Sequence, residues 1–233
     1  MLDIEINIYV MSISQNLNHI KSQLPEYVTL VAVSKTKPIG DLLEAYHSGQ
    51  RIFGENKIQE MADKHDQMPT DIEWHMIGHV QRNKVKYMAG FVSLIHGVDS
   101  FKLLQEINKQ ALKHNRIIKC LLQIKIAEEA SKFGITPENA KNILTSEDFK
   151  TLKNIIITGL MGMATFTSDQ KQVEREFKTL KTTFEDLKSL RGENCNLQTV
   201  SMGMSGDFKL AIDCGSTMVR VGSSIFGARN YNN

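Results

Sequence analysis

Cysteine is scarce in this chain of 233 residues, and its three cysteines lie far apart in sequence. Cys120, Cys195 and Cys214 form no C-x-x-C pair, so the sequence indicates neither a disulfide framework nor a zinc knuckle. We therefore predict no metal site. Unpaired thiols are typical of a reducing compartment, and we expect the protein to be cytoplasmic.

Long hydrophobic runs are also missing, as is an excess of charge of one sign. The longest apolar stretch, 155–164, contains Thr158 and two glycines and is too short to cross a bilayer. The N-terminus carries Asp3 and Glu5, where a secretion signal would be basic. The 28 basic and 26 acidic side chains leave a net charge of +2, which gives little non-specific attraction to nucleic acids or acidic membranes. We expect neither as a partner.

The composition is that of a globular domain with a sizeable core. Hydrophobic residues make up 41% of the chain and charged residues 23%, which excludes disordered, collagen-like and coiled-coil classes. A chain of this length suggests one or two domains, but barrels of alternating strands and helices often reach about 250 residues as a single domain. One domain covering 1–233 is therefore expected.

Strand-like runs alternate with helical segments along most of the sequence. Eight such runs occur, at 30–33, 51–53, 73–77, 92–95, 117–126, 155–161, 197–201 and 218–226. Eight strand–helix repeats predict an α/β fold, a TIM-type (β/α)8 barrel over 29–229. An open doubly wound sheet is the alternative, but no G-x-G-x-x-G motif follows the first strand.

Helical periodicity is clearest in two segments. Apolar residues at steps of three and four predict an additional N-terminal helix within 1–28 that stops at Pro25, and a long helix from Val173 to Leu187. Thr167 is the expected N-cap of the long helix, with Gln170 three residues later. Thr136 and Pro137 are typical of a further helix start.

In a barrel of this type the chemistry lies where strands run into loops, and Lys35 follows the first strand. Because strand residues alternate between faces, Val31, Val33 and Lys35 share one face. If that face points inward, desolvation at the barrel mouth lowers the lysine pKa and supplies the neutral amine that a Schiff base needs. An ordinary solvated loop lysine is the alternative. Lys37 has the same parity but lies beyond the strand.

Glycine and serine cluster after the seventh and eighth strands, at 201–205 and 222–224. Glycines let backbone N–H groups approach a phosphate, serine hydroxyls add donors, and barrel phosphate sites often follow these two strands. We therefore favour a phosphate site over simple tight turns.

Two histidines, His75 and His79, are four residues apart at the end of the third strand. Strand geometry does not converge their rings on one metal as a helix would, and the glutamate of H-E-x-x-H is missing. We expect His75 to be a hydrogen-bonded structural residue, and His79 is a candidate ligand contact in the mouth loop.

Six ordered motifs closely resemble the YggS/PROSC family, the pyridoxal phosphate homeostasis proteins. They are AVSKTKP at 32–38, FGEN at 53–56, WHMIG at 74–78, SMGMS at 201–205, GSTMVRVG at 215–222 and IFGAR at 225–229. The resemblance runs from about Leu30 to Arg229. It departs at 79–82, where this chain has HVQR, and at 223–224, where a threonine is often first.

The resemblance implies a barrel like the N-terminal domain of alanine racemase, with pyridoxal 5′-phosphate (PLP) held by Lys35 as a Schiff base. By family pattern, Ser201, Gly222 and Ser223 would bind the phosphate, and Arg220 would face the pyridine nitrogen. The remaining matched positions are Asn56 and His75, near the cofactor, and Lys132, in Ser131–Gly134 near the mouth.

The resemblance also favours a carrier and regulator of intracellular PLP over an enzyme. The alternatives are a PLP enzyme of the amino-acid racemase or decarboxylase type and a phosphosugar aldolase. An alanine-type racemase takes a tyrosine base from a second domain, whereas this chain ends just after its eighth strand, so we expect no substantial turnover. The expected partners are PLP, free amino acids and, transiently, apo PLP enzymes, and the expected state is a monomer.

Overall fold

Eight parallel strands form one closed barrel in the computed structural model, which describes residues 11–129 and 132–228. The strands are β1 (Thr29–Val33), β2 (Ile52–Glu55), β3 (Glu73–Met76), β4 (Leu94–Val98), β5 (Ile118–Gln123), β6 (Ile155–Met161), β7 (Cys195–Met204) and β8 (Met218–Val221). Each strand pairs with the next in the chain, and β8 closes the barrel on β1. The predicted single-domain (β/α)8 barrel is confirmed, and the open-sheet alternative is wrong.

Helices cover the outside of this barrel. They are α1 (Ile13–Lys21), α2 (Ile39–His47), α3 (Ile58–His65), α4 (Phe101–Lys113), α5 (Pro137–Thr145), α6 (Glu147–Lys150), α7 (Gln170–Leu187), α8 (Phe208–Asp213) and α9 (Ser223–Phe226), with a 3₁₀ turn at Arg82–Tyr87. None of the helices described is long and apolar enough to cross a membrane. The division into a leading helix at 1–28 and a barrel at 29–229 stays a prediction, since 1–10, Ser131 and Arg229 lie outside the described residues.

The additional N-terminal helix is confirmed as α1. Ser12 caps it, because its hydroxyl accepts from the Gln15 N–H while the Gln15 side chain accepts from the Ser12 N–H. Leu17 is fully buried, and the Asn16 side chain donates to the Ile225 carbonyl at 3.1 Å. Helix α1 therefore binds α9, the short helix that follows the last strand.

Some predicted element ends are wrong. The predicted strand 218–226 stops at Val221, because the N–H groups of Ile225 and Phe226 turn back to the Gly222 carbonyl and form α9. The long helix α7 is capped by Asp169 rather than Thr167, since the Asp169 carboxylate accepts from two helical N–H groups. The predicted start of α5 at Thr136 and Pro137 is confirmed.

Apolar side chains form two separate layers. The larger lies between strands and helices, with Trp74 and Phe53 packed at a ring distance of 6.1 Å. The smaller fills the barrel itself and consists of Val31, Ile77, Leu94, Leu121, Met161 and Met218. Because strand residues alternate between faces, polar residues two positions from these members also point inward. His75, His96 and Arg220 are such residues, and they lead to the candidate site.

Candidate functional site

A cavity of about 1480 Å³ opens at the carboxyl ends of the strands. Its walls include most of the residues predicted from the sequence: Lys35, Lys37, Asn56, His79, Lys132, Arg220, Gly222 and Ser223. Two predicted residues, His75 and Ser201, are buried beneath the cavity instead, with 3% and 0% of their surface exposed. Polar groups distant in sequence therefore converge at one end of the barrel.

Two lysines, Lys35 and Lys37, follow β1 at the cavity wall. Val33 and Lys35 both line the cavity, whereas the intervening Ser34 points away from it and is fully buried. The Lys37 ammonium donates to the Phe226 carbonyl at 2.6 Å and to the Ala228 carbonyl at 3.1 Å. Lys37 therefore stabilises the segment that follows α9, whereas Lys35 follows the inward-facing Val33 at the end of β1.

The loops after β7 and β8 meet through Ser205, a residue of the SMGMS motif that was not selected as a site residue. Its hydroxyl accepts from the Gly222 N–H at 3.1 Å, and both residues line the cavity. A side chain at 222 would bring a Cβ to 3.1 Å from the Val33 carbonyl oxygen, a tight contact, so the close approach of β8 to β1 favours glycine. Ser201, the last residue of the predicted strand at 197–201, lies inside β7, because β7 continues to Met204.

A hydrogen-bonded chain crosses the barrel interior below the cavity. The Arg220 guanidinium donates to the Ser201 hydroxyl at 2.6 Å and to the Gly162 carbonyl at 3.0 Å. The Ser201 hydroxyl lies 3.1 Å from Nδ1 of His96, and Nε2 of His96 lies 3.1 Å from Nδ1 of His75. The prediction that His75 is hydrogen-bonded is confirmed. His96 was missed, although a histidine inside the apolar run of β4 is the kind of signal that reveals a buried polar contact.

Burial determines which side chains of this hydrogen-bonded series carry a charge. It lowers the pKa of His75 to about 3, with a smaller effect from Lys119, and lowers that of His96 well below its usual value. Burial also lowers the pKa of Arg220 to about 10, while the Asp207 carboxylate opposes that shift. At neutral pH the two imidazoles are therefore neutral and the guanidinium is charged, so Arg220 carries a positive charge to the floor of the cavity.

Behind Lys35, on the outer face of the barrel, lies a second polar cluster that sequence reasoning missed. Glu55, Glu60 and Lys64 are joined by two ion pairs of 2.7 Å, both made by the Lys64 ammonium. Burial raises the pKa of the Glu55 carboxyl, while the charge of Lys64 and hydrogen bonds from Lys64 and Ser34 oppose the shift. Burying a charged group costs free energy unless the group is paired. These three paired charges lie next to the segment that carries Lys35.

The rim of the cavity carries aromatic and charged side chains. His79 stacks on Phe133 with ring centroids 4.2 Å apart, and its Nδ1 lies 3.2 Å from the Asp99 carboxylate. Lys132 pairs with Glu129 at 3.5 Å. These residues are partly exposed at the entrance, where they would meet an incoming molecule before the buried groups do.

Comparison with known proteins identifies relatives over nearly the whole chain. Residues 8–230 match the family model described as the alanine racemase N-terminal domain. The pyridoxal phosphate homeostasis protein of Vibrio alginolyticus is 40% identical over 94% of this chain and 99% of its own length. That of Haemophilus influenzae is 37% identical over 95% and 98%.

Solved structures give the same picture. PipY of Synechococcus elongatus, solved with PLP bound, has a TM-score of 0.84 and 33% identity, and it matches over 93% of this chain and 100% of its own. Its PLP-free structure has a TM-score of 0.87 and 34% identity. Alanine racemase of Clostridium difficile shares the fold, with a TM-score of 0.74 and 16% identity, and 57% of its chain is covered.

The buried histidines predict how stability depends on pH. Between pH 6.5 and about 3 the unfolded chain binds a proton at His75 that the folded chain does not, so the free energy of unfolding falls as the pH is lowered through this range. The expected slope is about 1.4 kcal/mol per pH unit for this histidine. His75→Asn should lose that part of the slope in urea unfolding curves, and His96→Asn should behave alike. The exposed control His47→Gln should keep the wild-type slope, and equal slopes in all proteins would contradict the assignment.

Proposed function

This chain belongs to the alanine racemase N-terminal-domain family, and we propose that it binds PLP through Lys35 and acts in intracellular PLP homeostasis. The observation that carries the proposal is one cavity containing a strand-end amine, a glycine–serine lining and a buried guanidinium. Relatives named for PLP homeostasis, which match this chain over nearly its full length, support the same conclusion.

The residues of the cavity fit the three chemical parts of PLP. When bound, PLP supplies an aldehyde that reacts with amines and a pyridine ring that withdraws electrons. We assign the Lys35 amine to the aldehyde and the Arg220 guanidinium to the ring nitrogen. Asn56 lines the same cavity, and we assign it to the ring. A volume of about 1480 Å³ leaves room for a second small molecule beside the cofactor, since ligand pockets usually measure about 300–1000 Å³.

For the phosphate we propose Gly222, Ser223 and Ser205. The Gly222 N–H donates to the Ser205 hydroxyl on the cavity wall, and a bound phosphate would accept hydrogen bonds from both groups in place of this contact. Ser201 was expected to bind the phosphate as well. Its contacts with Arg220 and His96 instead favour a role in holding the guanidinium, with His75 at the far end of the same chain.

We further propose a carrier without substantial turnover rather than a racemase or decarboxylase. Arg220 can only donate hydrogen bonds, so it favours an unprotonated pyridine nitrogen and a weaker electron sink. The relatives' names, which describe homeostasis rather than a reaction, point the same way. Free amino acids would compete with Lys35 for the aldehyde, and apo PLP enzymes would receive the cofactor.

The proposed setting is the cytoplasm, and the proposed state is a monomer. Cys120, Cys195 and Cys214 are free and buried, and burial raises the pKa of the Cys195 thiol to about 11, which keeps it unreactive. A sheet that closes on itself has no edge strand for a second copy to pair with, which favours a monomer.

Covalent capture tests the assignment of Lys35. Borohydride reduction of the PLP-loaded protein should attach the pyridoxyl group to the peptide that contains Lys35, as read by peptide mapping. Lys35→Ala should abolish both the label and the visible absorption band. Lys37→Ala is the matched control and should retain both, because its ammonium binds carbonyls of the chain end. Label found only on Lys37 or Lys132 would overturn the assignment.

A pair of serine variants tests the phosphate site. Ser205→Ala removes one hydrogen bond to a charged group, worth about 1.5–3 kcal/mol, and should weaken PLP binding about ten- to a hundredfold in a titration. Ser224→Ala is the control, since Ser224 lies in α9 but does not line the cavity. Pyridoxal, which has no phosphate, should bind weakly to wild type and equally to both variants. Pyridoxal binding as tightly as PLP would show that the phosphate site is misplaced.

Turnover distinguishes a carrier from an enzyme. The loaded protein should show slow exchange of the Cα hydrogen for deuterium across a panel of amino acids, together with little racemisation or decarboxylation. An ordinary enzymatic rate of about 1–1000 per second with any of them would contradict the carrier proposal.

A further inference from the structure

Side-chain charges hold the backbone on both sides of Lys35. On one side, the Ser34 carbonyl accepts from the Lys64 ammonium at 2.8 Å, and the Ser34 hydroxyl donates to Oε1 of Glu55 at 2.6 Å. On the other side, the Thr36 N–H donates to Oε1 of Glu60 at 2.5 Å. Each residue next to Lys35 is therefore bonded to one or two members of the same ion-pair cluster.

The cluster joins strand β2 and helix α3 to the segment that follows β1. Glu55 ends β2, whereas Glu60 and Lys64 are one turn apart on α3. The Lys64 ammonium lies 2.7 Å from both carboxylates, and the exposed side-chain fractions are 0% for Glu55, 7% for Lys64 and 23% for Glu60. Because β2 is a strand of the closed barrel and α3 packs on it, the cluster ties the segment after β1 to regular elements of the fold.

The segment itself has an unusual backbone. The Lys37 N–H donates to the Ser34 carbonyl at 3.0 Å, which makes 34–37 a turn with Lys35 and Thr36 at its centre. Thr36 has a φ of +64°, and a positive φ at the third residue is typical of a type II turn, where glycine is usual. For a β-branched residue this conformation is an outlier, so the surroundings must enforce it. The hydrogen bond from Thr36 to Glu60 does so.

Stability alone does not explain this cluster. Buried ion pairs contribute little net stability compared with apolar residues of similar volume. Glu55 also leaves its second carboxylate oxygen, Oε2, buried without a hydrogen-bond partner among the residues described. Buried charges and an unpaired buried oxygen are expected at functional sites, where the geometry of the side chains matters more than the stability of the fold.

We propose that Glu55, Glu60 and Lys64 are positioning residues that lock the turn at 34–37 and thereby aim the Lys35 amine into the cavity. The inference rests on the proposed function, because it concerns the aldehyde that Lys35 captures. It assigns no contact with the cofactor to the three residues. They act through Ser34 and Thr36 alone.

The test separates binding in the cavity from covalent capture by Lys35. Glu60→Ala removes the acceptor of the Thr36 N–H and should slow the capture of PLP about ten- to a hundredfold in stopped-flow absorption. Pyridoxine 5′-phosphate has an alcohol in place of the aldehyde, and its affinity for the unloaded variant should equal that for wild type. Amide exchange at Thr36 in the unloaded variant should rise. Glu60→Gln keeps an acceptor oxygen and should restore slow exchange and most of the capture rate.

Matched variants exclude a general loss of structure. Glu147→Ala breaks the exposed ion pair with Lys150 and should change none of the three readouts. Ser34→Ala removes only the hydroxyl bonded to Glu55. If Glu60→Ala does not fold, this variant tests the other side of the turn. It should likewise slow capture and leave pyridoxine 5′-phosphate affinity unchanged.

The outcomes are distinct. Capture at the wild-type rate in Glu60→Ala, or in Ser34→Ala where the first does not fold, would overturn the positioning role while leaving PLP binding intact. An equal loss of pyridoxine 5′-phosphate affinity and capture would also overturn it, since that is the result of a purely structural defect. Failure of wild type to capture PLP at Lys35 would instead refute the proposed function.

Discussion

Closure of the barrel between β8 and β1 is the constraint on which the candidate site depends. The pairing sets Val31 opposite Arg220 and Ala32 opposite Val221, so residues almost 190 positions apart become neighbours. Past these pairs, Gly222 comes so close to Val33 that a side chain there would make a tight contact of 3.1 Å with the Val33 carbonyl oxygen. The same closure places Lys35, which follows β1, beside the loops that follow β7 and β8. Without it, the amine and the glycine–serine lining would belong to different surfaces.

Sequence reasoning located what depends on local pattern. Alternation of strands and helices was enough for the barrel, and parity along one strand was enough to place Val31, Val33 and Lys35 on one face. Parity did not decide which face points inward. Sequence reasoning failed where the outcome depends on distant contacts. Ser201 bonds His96, 105 positions away, and no local pattern relates the two. The end of β8 was missed because the apolar run continues into α9, and a short apolar run fits a strand as well as a buried helix turn.

The cluster behind Lys35 was missed for a different reason. Glu60 and Lys64 are four apart on α3, a spacing that on most helices marks a solvated surface pair worth a few tenths of a kcal/mol. Their importance comes from Glu55 and from the unusual backbone of Thr36, neither of which is visible in the helix pattern. The spacing of Glu60 and Lys64 is therefore informative only in the folded barrel, where Glu55 and the turn at 34–37 lie against this pair.

Two groups of the cavity wall, Lys35 and Arg220, are held by polar networks that share no residue. Arg220 is held from inside the barrel by Ser201 and His96, which burial keeps neutral, whereas the turn carrying Lys35 is held from outside by charged groups. The barrel wall separates the two. A further cation inside the barrel would repel the guanidinium and an anion would neutralise it, so neutral imidazoles suit that side. On the outer face the charges are tolerated because Lys64 pairs with both carboxylates at 2.7 Å. The fold can therefore fix an amine and a cation in the wall of one cavity without either supporting network disturbing the charge of the other.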